Sequence, residues 1–216
     1  MGYSYDYAYA SGDEFASLMV AGVYLVYCLF AFGLSIAAYV LSSLGVYTIA
    51  KRRNINHPWM AWVPVANGWV VGSLSDQYRY VKQGKVKNKR KWLPILECLM
   101  LVLVFVTIVL MVVNILELES FVAMSDEAYM AAAISLVVKF LLLWLGIMAL
   151  SISRMVIHYM AMYDIYTSLN PAYNVVFLLV SIFVNVTEPF FVFFNRNKDL
   201  GMPPRDDAPP VYEEEA

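Results

Sequence analysis

Three polar residues lie inside apolar stretches of this sequence. Lys139 lies near the middle of the run 130–152, and Asn185 and Glu188 lie in the run 173–194. A charge at the centre of a bilayer costs roughly 2.5–3.5 kcal/mol, so it usually faces a protein interior and a partner. With the two runs antiparallel, Lys139 and Asn185 lie at similar depth, and Glu188 is within reach of a lysine stem. The pattern predicts an intramembrane polar site of Lys139, Asn185 and Glu188.

Two roles are open to this site. Lys139 and Glu188 can form a buried pair that fixes the register of two helices and holds them together. Alternatively, they belong to a pathway for an ion, a proton or a substrate, the usual role of an intramembrane charge. Pro189 adds an acceptor, because it frees a backbone carbonyl near Asn185. The sequence alone leaves both roles open.

Other polar residues in the apolar regions carry weaker signals. Arg154 and His158 share a helix face with Asp164 nearby. A relay is one interpretation, and polar decoration of an interfacial helix is the simpler one. Glu97 lies at the inner end of an apolar run, which predicts a carboxylate that reaches the headgroups.

Catalytic and metal sites are not predicted. His57 and His158 are far apart in sequence, and no cluster of cysteines or acids accompanies either. The sequence has no G-x-S-x-G, H-E-x-x-H or P-loop motif. We therefore expect no enzymatic activity, no cofactor and no bound metal.

The elements that must position these residues are apolar helices. The chain of 216 residues is 61 % hydrophobic and 15 % charged, whereas soluble domains average about 45–50 % and about 25 %. A helix needs about 20 apolar residues to cross about 30 Å of hydrocarbon. The predicted fold is an all-α integral membrane protein, a bundle of about four transmembrane helices within residues 15–195. The predicted spans lie near residues 19–41, 94–116, 130–152 and 173–194.

Polar segments flank this domain. Residues 1–14 are acidic and rich in tyrosine, without the basic start of a signal peptide. Residues 153–169 predict an amphipathic helix on the cytoplasmic side, ended by Asn170-Pro171. The tail 196–216 is rich in proline and acidic residues, which predicts disorder.

Basic residues set the expected orientation. Residues 51–92 hold ten of the fifteen Lys and Arg residues, and only Asp76 opposes them. Basic residues near span ends stay cytoplasmic, so we expect 51–92, including the loop 78–92, in the cytoplasm and the N-terminus outside. Four crossings place the tail outside as well, although Arg196 and the two other basic residues of the tail argue against that side.

A Trp-rich segment, residues 55–77, lies between two basic clusters. Trp favours the membrane–water interface, because its ring is apolar and its N–H needs a polar partner. Pro64 and Gly68 argue against a single regular helix, so a re-entrant or interfacial segment is predicted. An anchoring role is favoured over substrate binding. The predicted anchor residues are Trp59, Trp62, Pro64, Asn67 and Trp69.

The same segment resembles part of a family of small uncharacterised bacterial integral membrane proteins. In that family, basic residues after the first helix precede the pattern P-W-x-A-x-x-P-x-x-N, which corresponds here to Pro58-Trp59, Ala61, Pro64 and Asn67. The resemblance covers only a short part of the chain. It implies a bacterial cell membrane and a hairpin-like element, and it implies no activity.

These observations favour a non-enzymatic accessory or scaffold component of the cell (plasma) membrane. The alternative is a small transporter or channel component that uses Lys139, Asn185 and Glu188. Expected partners are the lipid bilayer, with anionic headgroups near Lys82–Lys91, and other membrane proteins. Nucleic acid is not expected, because headgroups already account for the basic loop.

Overall fold

The computed structural model describes residues 4–85, 87–117 and 125–202, and these residues form helices and no strand. The elements are α1 (Ser4–Arg52), a 3₁₀ helix (Pro58–Trp62), α2 (Pro64–Gln83), α3 (Lys89–Leu116), α4 (Asp126–Leu169), α5 (Asn174–Phe183) and α6 (Thr187–Asn195). The all-helical prediction is therefore confirmed. The part of the predicted disordered tail from residue 203 onward lies outside the described residues.

Among the described residues, three helices are long and apolar enough to cross a membrane, namely Glu14–Arg52, Lys89–Leu116 and Glu127–Leu169. They contain the predicted spans near 19–41, 94–116 and 130–152. Helix α4 runs for 44 residues without a break. The segment 153–169, predicted as an amphipathic extension, is thus the last part of that helix, and its inner face is buried in the core.

The predicted fourth span, residues 173–194, is not one helix. Helix α5 ends at Phe183 and α6 begins at Thr187. The break follows from Pro189, which cannot donate to the carbonyl of residue 185 and whose ring would clash with it. The Phe177 and Phe191 rings stack with centroids 4.7 Å apart, so the two short helices pack side by side. Because α5 has only 10 residues, it covers about 15 Å, half of a bilayer core.

Helices α5 and α6 form a helical hairpin. After this hairpin the chain returns to the end of the bundle at which α4 ends. Asp199 forms ion pairs with Arg52 at 2.8 Å and with Arg53 at 2.7 Å. The Gly201 N–H donates to the Ser168 carbonyl at 3.0 Å. We call this end of the bundle the basic end. Residues 196–202 are held there, at the same end of the bundle as Arg52 and Arg53.

The Trp-rich segment forms two helices. The 3₁₀ helix comes first, and α2 then runs from Pro64 to Gln83. Pro64 suits the first turn, where its missing N–H loses no bond. Gly68 lies inside α2 against Leu93, where an added Cβ would come within 3.3 Å of the Leu93 Cβ. Neither residue breaks the helix, and α2 and α3 take up most of the predicted loop 78–92.

Tight packing is confined to the basic end. A Cβ added at Gly72 would lie 2.5 Å from the Arg90 backbone nitrogen, so α2 and α3 cross at backbone contact. The buried apolar core joins α1, α2, α3, α4 and α6, and its largest buried side chains include Ile49, Leu74 and Tyr166. The most apolar 18-residue window of each long helix, by contrast, has 0 % of its residues buried.

Candidate functional site: a polar cavity at the basic end

The structure does not bring the three predicted site residues together. Glu188 forms a hydrogen bond with His158, in which the Glu188 Oε1 lies 2.9 Å from the His158 Nε2. Lys139 lies exposed on α4 and has no ion pair or hydrogen bond among the described residues. His158 and Lys139 are separated by about 28 Å along the same helix. Glu188 lies beside His158 and not beside Lys139, because the chain turns back between Phe183 and Thr187.

Two pairs of ionisable side chains lie one above the other along α4. Arg154 pairs with Glu97 of α3 through its Nε, and His158, one turn further on, pairs with Glu188 of α6. A neutral His158 can donate its Nε2–H to the carboxylate, and a protonated one adds a charge. Glu97 is therefore held by Arg154. The sequence pattern alone favours polar decoration of a helix for Arg154 and His158, and it does not indicate either pair.

These pairs line a cavity of about 70 Å³ between α1, α2, α3, α4 and α6. Its polar wall consists of Ser42, Asn67, Glu97, Arg154, His158 and Glu188. The Asn67 Oδ1 is buried and has no hydrogen-bond partner within the described structure. A water molecule needs at least about 10–15 Å³ and two or more polar partners. The cavity offers both, so it can hold several waters and satisfy Asn67.

A wider crevice of about 260 Å³ lies between α1 and the tip of the hairpin. Asn185 and Glu188 line it together with Tyr39 and Ser42 of α1. Ser42 and Glu188 line both the crevice and the cavity. Glu188 thus stands between the polar cavity and the wider crevice. Two of the three predicted residues, Asn185 and Glu188, line the same crevice.

Close helix contacts hold the hairpin in this position. A Cβ added at Gly45 would lie 2.8 Å from the Val192 Cγ1, which lets α6 lie directly against α1. On the α4 side, the Tyr159 hydroxyl donates to the Ser181 carbonyl at 3.1 Å. The Tyr166 hydroxyl lies 3.0 Å from the Ser181 Oγ. The end of α5 is therefore tied to α4, which fixes Glu188 opposite His158.

A second polar cluster joins α2, α3 and α4. Asp164 Oδ2 accepts hydrogen bonds of 2.6 Å from each of three groups, the Lys89 ammonium, the Arg79 Nε and the Ser75 hydroxyl. The Lys89 ammonium also donates to the Met160 carbonyl at 2.8 Å. Because Asp164 of α4 binds Arg79 and Ser75 of α2 and Lys89 of α3, the cluster holds these three helices together. Lys89 is only 4 % exposed, so it is not available to the headgroups predicted near Lys82–Lys91.

The contact with the returning chain forms a third cluster. Arg53 donates to Asp199 and, at 2.9 Å, to the Ser168 hydroxyl. Burial lowers the pKa of the Arg53 guanidinium, and the Asp199 carboxylate opposes that change. The Arg53 backbone carbonyl accepts from Gln77 of α2 at 3.0 Å. Arg53, one of the basic residues that follow the first span, therefore joins α1, α2, α4 and the tail.

The predicted interfacial anchor residues have different surroundings. Trp59 and Trp62 are exposed at 56 % and 40 %, and the Trp62 carbonyl accepts from the Tyr39 hydroxyl. Trp69 packs against the core. Pro64 and Asn67 line the polar cavity. Trp59, Trp62 and Pro64 are therefore exposed, whereas Asn67 and Trp69 are partly buried.

No group of three or more His, Cys, Asp or Glu side chains is placed to hold a metal ion in the described part of the chain. Comparison with protein-family models, curated proteins and solved structures found no match for this chain. The contacts within the molecule are therefore what bears on its function.

Proposed function

We propose that this chain is a multi-pass protein of the bacterial cell membrane that acts as a non-enzymatic accessory or scaffold component and joins other membrane proteins through α1. The observation that carries the proposal is that the apolar part of α1 has no packing partner among the described residues. Val20, Val26 and Phe30 are exposed at 70 %, 67 % and 71 %.

The contacts of α1 with the rest of the chain lie towards the basic end. They include Tyr39 with Trp62, Gly45 with Val192 and Arg52 with Asp199. In lipid, an apolar helix is stable alone, and helices associate through packing and hydrogen bonds. A span that its own chain leaves uncovered is available to another subunit, as a scaffold requires.

The orientation that we propose places the basic end in the cytoplasm, with three crossings and the N-terminus outside. The rule that cytoplasmic loops carry excess Lys and Arg supports it. Arg196 and Lys198 follow α6 and thus also lie at the basic end. In a four-span topology these two residues would be exceptions to that rule, whereas the topology with three crossings obeys it.

Photo-crosslinking in native membranes tests the accessory role. A photoreactive residue at Val26 should give a discrete protein adduct, because a partner subunit covers that face of α1. The matched control is Leu142 of α4, which is also exposed, at 64 %, and should give lipid adducts only. Equal protein adducts from both positions, or none from Val26, would contradict the proposal.

A small transporter or channel component is the second candidate, favoured by the position of Glu188 between the cavity and the crevice. Transporters place binding sites at broken helices whose free backbone groups line a cavity, and the α5–α6 break has this form. Here Asn185, Glu188 and His158 would line the route, and Lys139 would not. Flux into proteoliposomes should stop with Glu188→Gln and persist with Lys139→Met. The reverse pattern would refute this candidate.

A further inference from the structure

An apolar groove runs along the outer face of α4, away from the polar cavity. It has a volume of about 460 Å³. Its walls are formed by Met155, Val156, Met160 and Tyr163 of α4 and by Leu178 and Ile182 of α5. Met155, Val156 and Ile182 are exposed at 49 %, 50 % and 42 %. The groove is therefore open to the surroundings of the bundle, and its surface is almost entirely apolar.

The groove lies parallel to the span. From Met155 to Tyr163 it follows α4 for about 12 Å. Leu178 and Ile182, one turn apart on α5, follow the same direction on the other wall. Tyr163 lies towards the basic end and Met155 towards the middle of the span. An extended hydrocarbon chain in the groove would therefore run parallel to α4, as the acyl chains of membrane lipids do.

Positive charge lies at one end of the groove, next to Tyr163. Arg79 of α2 lines it there, and its Nε donates to Asp164 at 2.6 Å. A guanidinium has five N–H donors, and among the described residues the outer nitrogens of Arg79 make no hydrogen bond. They are free to donate to a phosphate, whose geometry matches the fork of a guanidinium.

Lys82 stands one turn beyond Arg79 on α2. Its ammonium lies 3.0 Å from the Tyr78 hydroxyl. That hydrogen bond raises the pKa of Lys82. Lys82 follows Arg79 by three residues on α2, so the two side chains share one face of the helix. The Asp164 carboxylate beside Arg79 is already held by Lys89, Arg79 and Ser75. The end of the groove is therefore attractive to an anion.

We propose that the groove binds one acyl chain of an anionic phospholipid whose phosphate contacts Arg79 and Lys82. The apolar walls cover the chain, and the charges at the basic end select the headgroup. The direction of the groove places the headgroup at the same end as the bundle's basic residues, in the leaflet on that side. The site does not depend on either function proposed above.

The site can be tested by native mass spectrometry of the full-length protein in detergent. The protein is titrated with phosphatidylglycerol or with phosphatidylcholine that carries the same acyl chains. Phosphatidylglycerol should bind at least about fivefold more tightly than phosphatidylcholine, because one Lys or Arg near an anionic lipid contributes an effect of that size. Lys82→Gln should weaken phosphatidylglycerol binding about fivefold and leave phosphatidylcholine unchanged. Lys85→Gln, a matched change on the exposed connection after α2, should alter neither.

Blocking the groove is an independent arm of the test. Met160→Trp fills the space and should reduce the binding of both lipids, whereas Leu142→Trp, on the exposed face of α4 far from the groove, should not. Arg79→Lys keeps a cation beside Asp164 but loses the fork, and it should weaken phosphatidylglycerol alone. Equal binding of the two lipids, or equal effects of groove and control variants, would overturn the proposal. Should Met160→Trp not fold, the exposed Lys82→Gln decides the outcome.

Discussion

Replacing Asp164 by asparagine removes the carboxylate at the centre of the α2–α3–α4 cluster while keeping its shape. The side chains of Asp164 and Lys89 are each 5 % exposed, and their charged atoms are 2.6 Å apart. Without the carboxylate, the Lys89 ammonium keeps only neutral acceptors, the Ser75 hydroxyl and the Met160 carbonyl. Removing one partner of a buried ion pair costs about 3–5 kcal/mol, because the other charge is left buried and uncompensated.

We expect Asp164→Asn to lower the free energy of unfolding by about 3 kcal/mol, towards the low end of that range because neutral acceptors remain. Reversible unfolding in mixed micelles, followed by circular dichroism, measures the change. The matched control is Glu97→Gln, whose pair with Arg154 is more exposed, at 27 % and 43 %. The cavity that this pair lines can hold water, which screens the charges, so the loss of the pair should cost no more than about 1 kcal/mol.

A double variant separates the charge effect from simple loss of contacts. Asp164→Asn with Lys89→Met leaves no buried ammonium without a carboxylate, and the amide oxygen can still accept from Arg79 and Ser75. The double variant should therefore recover most of the stability lost in Asp164→Asn. The reasoning would be refuted by an Asp164→Asn variant that loses less than about 1 kcal/mol, or by a double variant that is less stable than Asp164→Asn.

Three further changes test the packing. Gly72→Ala should lower the free energy of unfolding by about 1–3 kcal/mol, because the new Cβ would meet the α3 backbone at 2.5 Å. Its control is Gly22→Ala, where a Cβ has nothing within 4 Å, and thermal unfolding should stay unchanged. Lys139→Met should not lower stability, since Lys139 has no partner in the described structure; a loss in the same thermal assay would indicate a contact to another chain. Tyr166→Phe should cost about 1 kcal/mol, because it removes the buried hydrogen bond to Ser181, and unaltered stability would show that this bond does not hold the hairpin.

Hydropathy is sufficient to find the three long helices, because a run of about 20 apolar residues is typical of a membrane span and rare elsewhere. The same criterion fails at 173–194, since a hairpin of two short helices contains as many apolar residues as one span. Pro189 marks the break in the sequence. A proline in the first turn of a new helix and a proline that kinks a continuous one are nevertheless alike in a one-dimensional pattern.

The candidate site is predictable in part. Glu188 can be identified because a carboxylate in an apolar run needs a partner. His158 cannot be chosen over Lys139 from the sequence, because that choice depends on the depth at which the hairpin turns. The pair of Glu97 with Arg154 depends likewise on the register of α3 against α4. The contact of Asp199 with Arg53 joins residues that are 146 positions apart in the sequence, and no local pattern signals it.

The most direct test of the proposed three-crossing arrangement is thiol labelling from outside intact cells, with Cys28 and Cys98 replaced. Single cysteines would stand at Lys85, Ser125 and Lys198. The arrangement predicts that position 125 reacts with a membrane-impermeant reagent, while 85 and 198 react only after permeabilisation, because residues 196–202 are held at the basic end by Arg52 and Arg53. Labelling of 198 together with 125 in intact cells would show that the chain crosses the membrane again after α4 and would contradict the hairpin.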